Sequence, residues 1–287
     1  MPHLRSIKNT LVLSALYFCI CGTVNAQQKK GWKLIWQDEF NYTGLPDTSK
    51  WGYEAGYVRN NEQQYYTNAR KENIQVADGF LTIKGIREEY PNAAWQAGST
   101  QWSRKDSLAH YTSASINTQN KFTFNYGRME VRAKLPAGGG IWPAIWMLGA
   151  DCSHGGWPMI GEIDVMEFIG NHPNDIYGTI HYATTGGTGH TSSGKHISVP
   201  DLHKDFHVYA IEWDDKKIDI FFDDSLYHSF NIDAANTGQY NPFQKPFYIL
   251  LNLAMGAAWP GPIDDKILPQ QFIIDYVRVY QREEKNK

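Results

Sequence analysis

Apolar residues recur at alternate positions in short runs along most of this chain, and no long segment keeps the three-and-four spacing of an amphipathic helix. The runs 80–83, 126–135, 176–182, 207–213, 218–222, 247–253 and 273–280 are rich in β-branched and aromatic side chains. Such side chains fit a pleated, half-buried surface, and the Gly, Pro, Asn and Asp clusters between the runs supply turns. Many short strands without intervening helices predict an all-β chain, an antiparallel sandwich or jelly roll rather than alternating β and α units. No internal repeat and no linker divides it.

Composition changes this picture little. The 287 residues are 42% hydrophobic and 20% charged, enough for a substantial core rather than a disordered chain. A formal net charge of −3 gives no basic excess for a nucleic-acid partner, so an uncharged or weakly charged partner is expected. The N-terminus does change it. Arg5 and Lys8 precede an apolar run at 11–20 and then Val24-Asn25-Ala26, which reads as a secretory signal over 1–26 with cleavage near Ala26. That run is too short to cross a bilayer, so no stable transmembrane span is expected and the chain is read as secreted, extracellular or periplasmic. Lipid attachment at Cys19 or Cys21 is disfavoured by the bulky Phe18 and Ile20. Once those two cysteines leave, Cys152 alone remains, and no intramolecular disulfide can form. Cys152 lies in a loop-like stretch without the neighbours of a thiol nucleophile.

Aromatic residues make up 14% of the chain, and Trp51, Trp95, Trp102, Trp142, Trp146, Trp157, Trp213 and Trp259 fall largely near loops or strand ends. Indole faces fill sandwich cores, and they also stack on the C–H patches of sugar rings. The chemistry concentrates in "GEIDVMEF". On a regular strand Glu162 and Asp164 share a face while Glu167 points away, and on a helix residues 162 and 167 are not neighbours. One extra residue, a β-bulge near Val165 or Met166, would return Glu167 to the face of the other two. Three carboxylates on one surface repel one another and raise at least one pKa. One Glu then stays protonated while another ionises, the division of labour that glycosidic cleavage needs. Without a bulge, these acids would simply decorate the solvent side of a strand.

The hexad Glu162-Ile163-Asp164-Val165-Met166-Glu167 resembles the active-site signature of glycoside hydrolase family sixteen in its bulged form. "WQDEF", "NNEQQYYT", "YGRMEVRAKLP", "GIWPAIWMLG", "YAIEW", "PFYILLNLAMG" and "IDYVRVYQ" resemble laminarinase-type segments in the same order, so the likeness covers essentially all of 27–287. The resemblance implies a single catalytic domain, a concanavalin-like β-jelly roll of two curved antiparallel sheets, and a retaining endo-1,3-β-glucanase acting as a monomer on a neutral β-glucan. It implies Glu162 as nucleophile, Glu167 as acid and base, and Asp164 as the residue tuning them. It assigns sugar contacts to Trp142, Trp146, Trp157, His181, Asn61 and Glu62, with Trp142 and Trp157 favoured over Trp146; Arg59 and Asn60 are nearby candidates, and Trp259 lies on a loop placed to close over the donor end of a cleft. For Glu62 a loop-bracing hydrogen bond is an equal alternative. It implies no cofactor for catalysis but a structural calcium ion held by Glu39, Asp275 and the Gly79 carbonyl, hard oxygen ligands that suit that ion; pairing of these acids with Arg is the alternative. Within the fold, a mixed-linkage 1,3-1,4-β-glucanase, an algal galactan hydrolase or a non-catalytic sugar-binding protein stay open.

Overall fold

The computed structural model describes residues 29–187 and 189–283. The signal-peptide reading of 1–26 lies outside the described residues. The chain folds as two packed sheets, one of ten strands and one of seven, with only short 3-10 turns among the helices. Pairing is antiparallel except where Gln64–Tyr66 runs parallel to Leu108–Ser113. This is the jelly-roll sandwich that the alternating pattern predicts. No helix among the described residues is long and apolar enough to cross a membrane.

In the seven-stranded sheet, Glu162–Phe168 lies between Ile141–Gly149 and Asp175–Ala183, and Phe247–Met255 continues the sheet beyond Ile141–Gly149. The two long inner strands explain their own composition. Phe247–Met255 is buried at every position. Its Phe247, Ile249, Leu251, Leu253 and Met255 belong to the core between the sheets, while Leu250 packs with Ala144, Trp146 and Tyr248 in a smaller cluster on the other face. A strand covered on both sides reads as a continuous apolar run, and for that reason 141–149 shows no alternation and escapes the sequence pattern.

The ten-stranded sheet closes the core from the other side. Its strand Gly127–Lys134 sends Met129, Val131 and Ala133 inward. Arg128, on the outer face, is held by Glu130 at 2.6 Å, Glu212 at 3.1 Å and Asp224 at 2.7 Å. Each large apolar side chain placed between the sheets contributes roughly 1.5–3 kcal/mol. Trp51, Phe168, Phe247 and Phe272 are among the largest that are fully enclosed. The sandwich therefore needs no disulfide, and Cys152 is free and exposed.

Candidate active site

The spacing of the three acids is resolved by the backbone. Across to Asp175–Ala183, Glu162 pairs with His181 and Asp164 with Thr179, but Glu167 pairs with Tyr177. Three steps on the acidic strand thus match two on its neighbour. On the other side, Asp164 opposes Trp146 and Met166 opposes Ile145, so the extra residue sits at Val165–Met166. Val165 and Met166 are both fully enclosed in the core. A bulge is what allows two consecutive residues to turn inward, and it leaves Glu162, Asp164 and Glu167 lining one cleft.

A bulge disrupts the ladder, and here the opposite sheet steadies it. The Tyr227 hydroxyl, from the strand Ser225–Asn231, donates to the Val165 carbonyl at 3.4 Å. It reaches that carbonyl past Gly178, where a Cβ would lie 2.5 Å from the Tyr227 hydroxyl oxygen and 3.0 Å from Ile220 Cδ1. Gly178→Ala is therefore expected to cost roughly 1–3 kcal/mol through overpacking. It should also lower kcat more than it changes KM, because the displaced hydroxyl no longer fixes the bulge. Denaturant titration and steady-state kinetics check both; wild-type values in each would mean that the bulge does not depend on this contact.

Electrostatics separates the acids. Burial, then the charges of Asp164 and Glu162, push the Glu167 carboxyl well above the usual range. Asp164, 4% exposed, is raised well above it by burial and then by Glu162. Burial also raises Glu162, but the His181 charge, a hydrogen bond from Trp157 and the Arg59 charge all oppose the rise. Glu162 is thereby the acid best supported as a carboxylate, and Glu167 is biased toward the protonated form. The Trp142 Nε1–H donates to Glu167 Oε1 at 3.2 Å. His181 Nε2 stands 3.2 Å from Asp164 Oδ2.

The other residues singled out in the sequence are distributed around this cleft, whose volume is about 380 Å³. The strand Ile141–Gly149 is regular enough that Trp142, Ala144, Trp146 and Leu148 all face it. Trp146 is only 6% exposed, with Nε1–H donating to Asn252 Oδ1 at 2.7 Å and the Arg59 guanidinium 4.9 Å above its ring. It forms floor rather than platform, whereas Trp157 is 50% exposed at the rim. Trp259, outside the cleft lining, packs edge-on against Trp142 at 5.3 Å and Tyr177 at 5.1 Å. Glu62 accepts from Gln64 at 2.6 Å, Asn60 at 3.2 Å and Tyr66 at 3.3 Å, so its buried carboxylate braces the loop beneath the cleft.

Two expectations are corrected. Asn61 is exposed and away from the cleft lining, and Asn60 takes its place there. Both residues adopt left-handed backbone, with φ of 58° and 52°, and that tight turn decides which side chain faces inward. The calcium set does not fit. Glu39 gives both oxygens to Arg278, at 2.7 and 2.8 Å, and Asp275 is paired with Arg132 at 2.5 Å. Carboxylates neutralised by guanidinium groups do not present the hard-oxygen cage a calcium ion takes, and only the Gly79 carbonyl, in a turn at φ +83°, would be left. Among the described residues, acids and histidine converge instead at Glu162, Asp164 and His181, whose donor atoms lie within 4.8 Å of one another. Asn252, Gly178, Tyr227 and His190 carry parts of the site that no local pattern marks.

Residues 61–278 match the family model for glycosyl hydrolases family 16. The chain belongs to that family. It is a glycoside hydrolase, 40% identical to a β-glucanase of Rhodothermus marinus over 96% of this chain and 94% of that protein. The solved laminarinase from Rhodothermus marinus overlays with a TM-score of 0.76 at 41% identity, covering 88% of this chain and 98% of that one. A structure from work on endo-acting O-glycanases, with which prominent members of the human gut microbiota initiate mucin breakdown, overlays with a TM-score of 0.84. Its identity is 39%, over 89% of this chain and 92% of that one.

Proposed function

We propose that this family 16 hydrolase is an exported, retaining endo-β-glucanase whose substrate is a 1,3-β-glucan. The observation that carries the reading is the bulge, which brings Glu162 and Glu167 into one cleft with unequal affinity for the proton. Glu162 attacks the anomeric carbon while Glu167 gives its proton to the departing glycosidic oxygen, leaving a glycosyl ester on Glu162. Glu167, now a carboxylate, takes a proton from water as that water attacks the same carbon. The ester breaks and the β configuration is restored. Asp164, whose burial and whose neighbour Glu162 favour its protonated form, hydrogen-bonds Glu162 in that form without adding a second negative charge beside it. Trp142 orients Glu167 and Trp157 supports Glu162, while the exposed indole of Trp157 gives a sugar ring an apolar surface.

The presence of both acids, with unequal affinity for the proton, argues against a purely binding protein. Similarity to the laminarinase and β-glucanase of Rhodothermus marinus supports the 1,3-glucan. The larger overlay with the structure from the O-glycanase work favours a second reading, in which the sugar chain is a mucin-type O-glycan. Digestion of laminarin, lichenan, agarose and mucin O-glycans, with separation of the oligosaccharides, decides between them. Laminarin is expected to yield oligomers of several lengths whose reducing ends are first released as the β anomer by NMR. Release from O-glycans alone would transfer the assignment to the second reading, and an α anomer would end the retaining mechanism. Export predicts a mature N-terminus near Gln27, which N-terminal sequencing of the native protein reads directly.

A further inference from the structure

His190 opens the strand His190–Ser198 at the edge of the seven-stranded sheet, where it pairs with Ala183. Its Nε2 lies 2.8 Å from His181 Nδ1, with the two rings stacked at 5.0 Å and 21°. Its other neighbour is the Trp157 ring, 4.6 Å away. His181 in turn places Nε2 3.2 Å from Asp164 Oδ2, a buried oxygen that has no hydrogen-bond partner. The path from the sheet edge to the catalytic acids is thus His190, His181, Asp164, Glu162.

We propose that His190 is a positioning residue that biases the tautomer of His181 toward Nε2–H, so that His181 offers an N–H to Asp164. The inference rests on the proposed reading of Asp164 as the partner of Glu162. A neutral imidazole carries one N–H, and on an unconstrained ring it sits on either nitrogen. When His190 donates its Nε2–H, His181 Nδ1 must be the acceptor and the His181 proton is confined to Nε2. When His181 is cationic, Nδ1–H donates to His190 and Nε2 keeps its proton. In both of these arrangements an Nε2–H faces Asp164 Oδ2, and the Asp164 hydroxyl stays free to point at Glu162. The opposite tautomer would set a lone pair against Oδ2, and the Asp164 proton would turn toward His181 and away from Glu162. Burial and then the His181 charge also push His190 toward its neutral form.

Two substitutions separate this role from simple packing. His190→Phe keeps a ring against Trp157 but removes the nitrogen, whereas His190→Gln keeps an amide N–H and gives up the ring. In ¹⁵N-histidine NMR without substrate, wild-type His181, assigned by its loss in His181→Gln, is expected to show Nε2–H alone. The Phe variant should add the Nδ1–H form and lose about 10–100-fold in kcat on laminarin, the usual cost of removing a group that orients another through a hydrogen bond. Its KM should stay within about threefold, because no uniform substrate contact is lost. The Gln variant should keep the wild-type tautomer and recover most of the kcat. Equal kcat losses in Phe and Gln with an unchanged tautomer would overturn the proposal, as would a Phe variant that is wild type in both measurements. Should the wild type leave every β-glucan intact, the proposed function falls, while the tautomer still reports on His190 independently.

Discussion

Replacing Glu162 by alanine is expected to reduce hydrolysis by about 10⁴–10⁶-fold, the scale seen when a covalent catalyst loses its nucleophile. The protein should stay folded. Glu162 is half-buried and its pKa in the fold lies above the ordinary carboxylate value, so the folded state binds its proton more tightly than the unfolded chain does. Its contribution to stability is greatest below the unfolded pKa and is lost as pH rises through the folded one. At pH 7 the alanine variant should therefore melt no lower than wild type on that account. Added azide, small enough to enter the vacated space, should restore turnover by direct attack and give an α-glycosyl azide, since one displacement replaces two. Near-normal turnover without azide would remove Glu162 from the mechanism.

Glu167→Gln should remove the basic limb of the pH–rate profile. In the wild type, Glu167 must be protonated to donate, and its pKa is raised well above the usual range by burial and by the Asp164 and Glu162 charges. Activity is then retained above the pH at which an ordinary glutamate has ionised, and falls as pH rises through the raised value. The Gln variant has no proton to lose or give. Its kcat on laminarin should fall about 10²–10⁴-fold, the range for a general acid, with a smaller loss on an aryl glycoside whose leaving group needs no proton. The stability sign follows from the same shift. Above the unfolded carboxylate pKa the unfolded chain loses this proton more readily than the fold does, so wild-type stability falls as pH rises; the Gln variant should have the higher Tm at pH 8, a difference that shrinks as pH falls below the unfolded carboxylate pKa. A lower Tm for Gln at pH 8, or a basic limb still present in that variant, would contradict this assignment.

Residues such as Phe168 and Tyr227 show how far the chain can be read from its pattern. Ile163, Phe168 and the alternating residues of 207–213 and 218–222 announce strands because one of their faces is dry and the other wet. Val165-Met166, two apolar residues in succession between two acids, announce that this alternation breaks, and the bulge lies there. Trp146 was harder to place, since in a strand apolar on both faces the pattern does not say which face meets the cleft. Whether Glu62 braces its loop, whether Asn60 or Asn61 lines the cleft and whether Glu39 and Asp275 pair with Arg were alternatives the sequence left open. Each depends on which group arrives from a distant part of the chain.

Strand periodicity and steric alternation are local properties, so the sequence by itself pointed to an all-β sandwich and to the place where the acidic strand had to kink, while the family and the roles of its acids came from the resemblance of its motifs. Tertiary structure alone decided how those acids share protons and what holds them. Desolvation depends on the packing of both sheets, and Tyr227, Gly178, Trp157 and His190 reach the acidic strand from elements far away or across the sheet edge. Burial and the fields of neighbouring charges are sums over everything nearby in space, and one-dimensional spacing does not contain them.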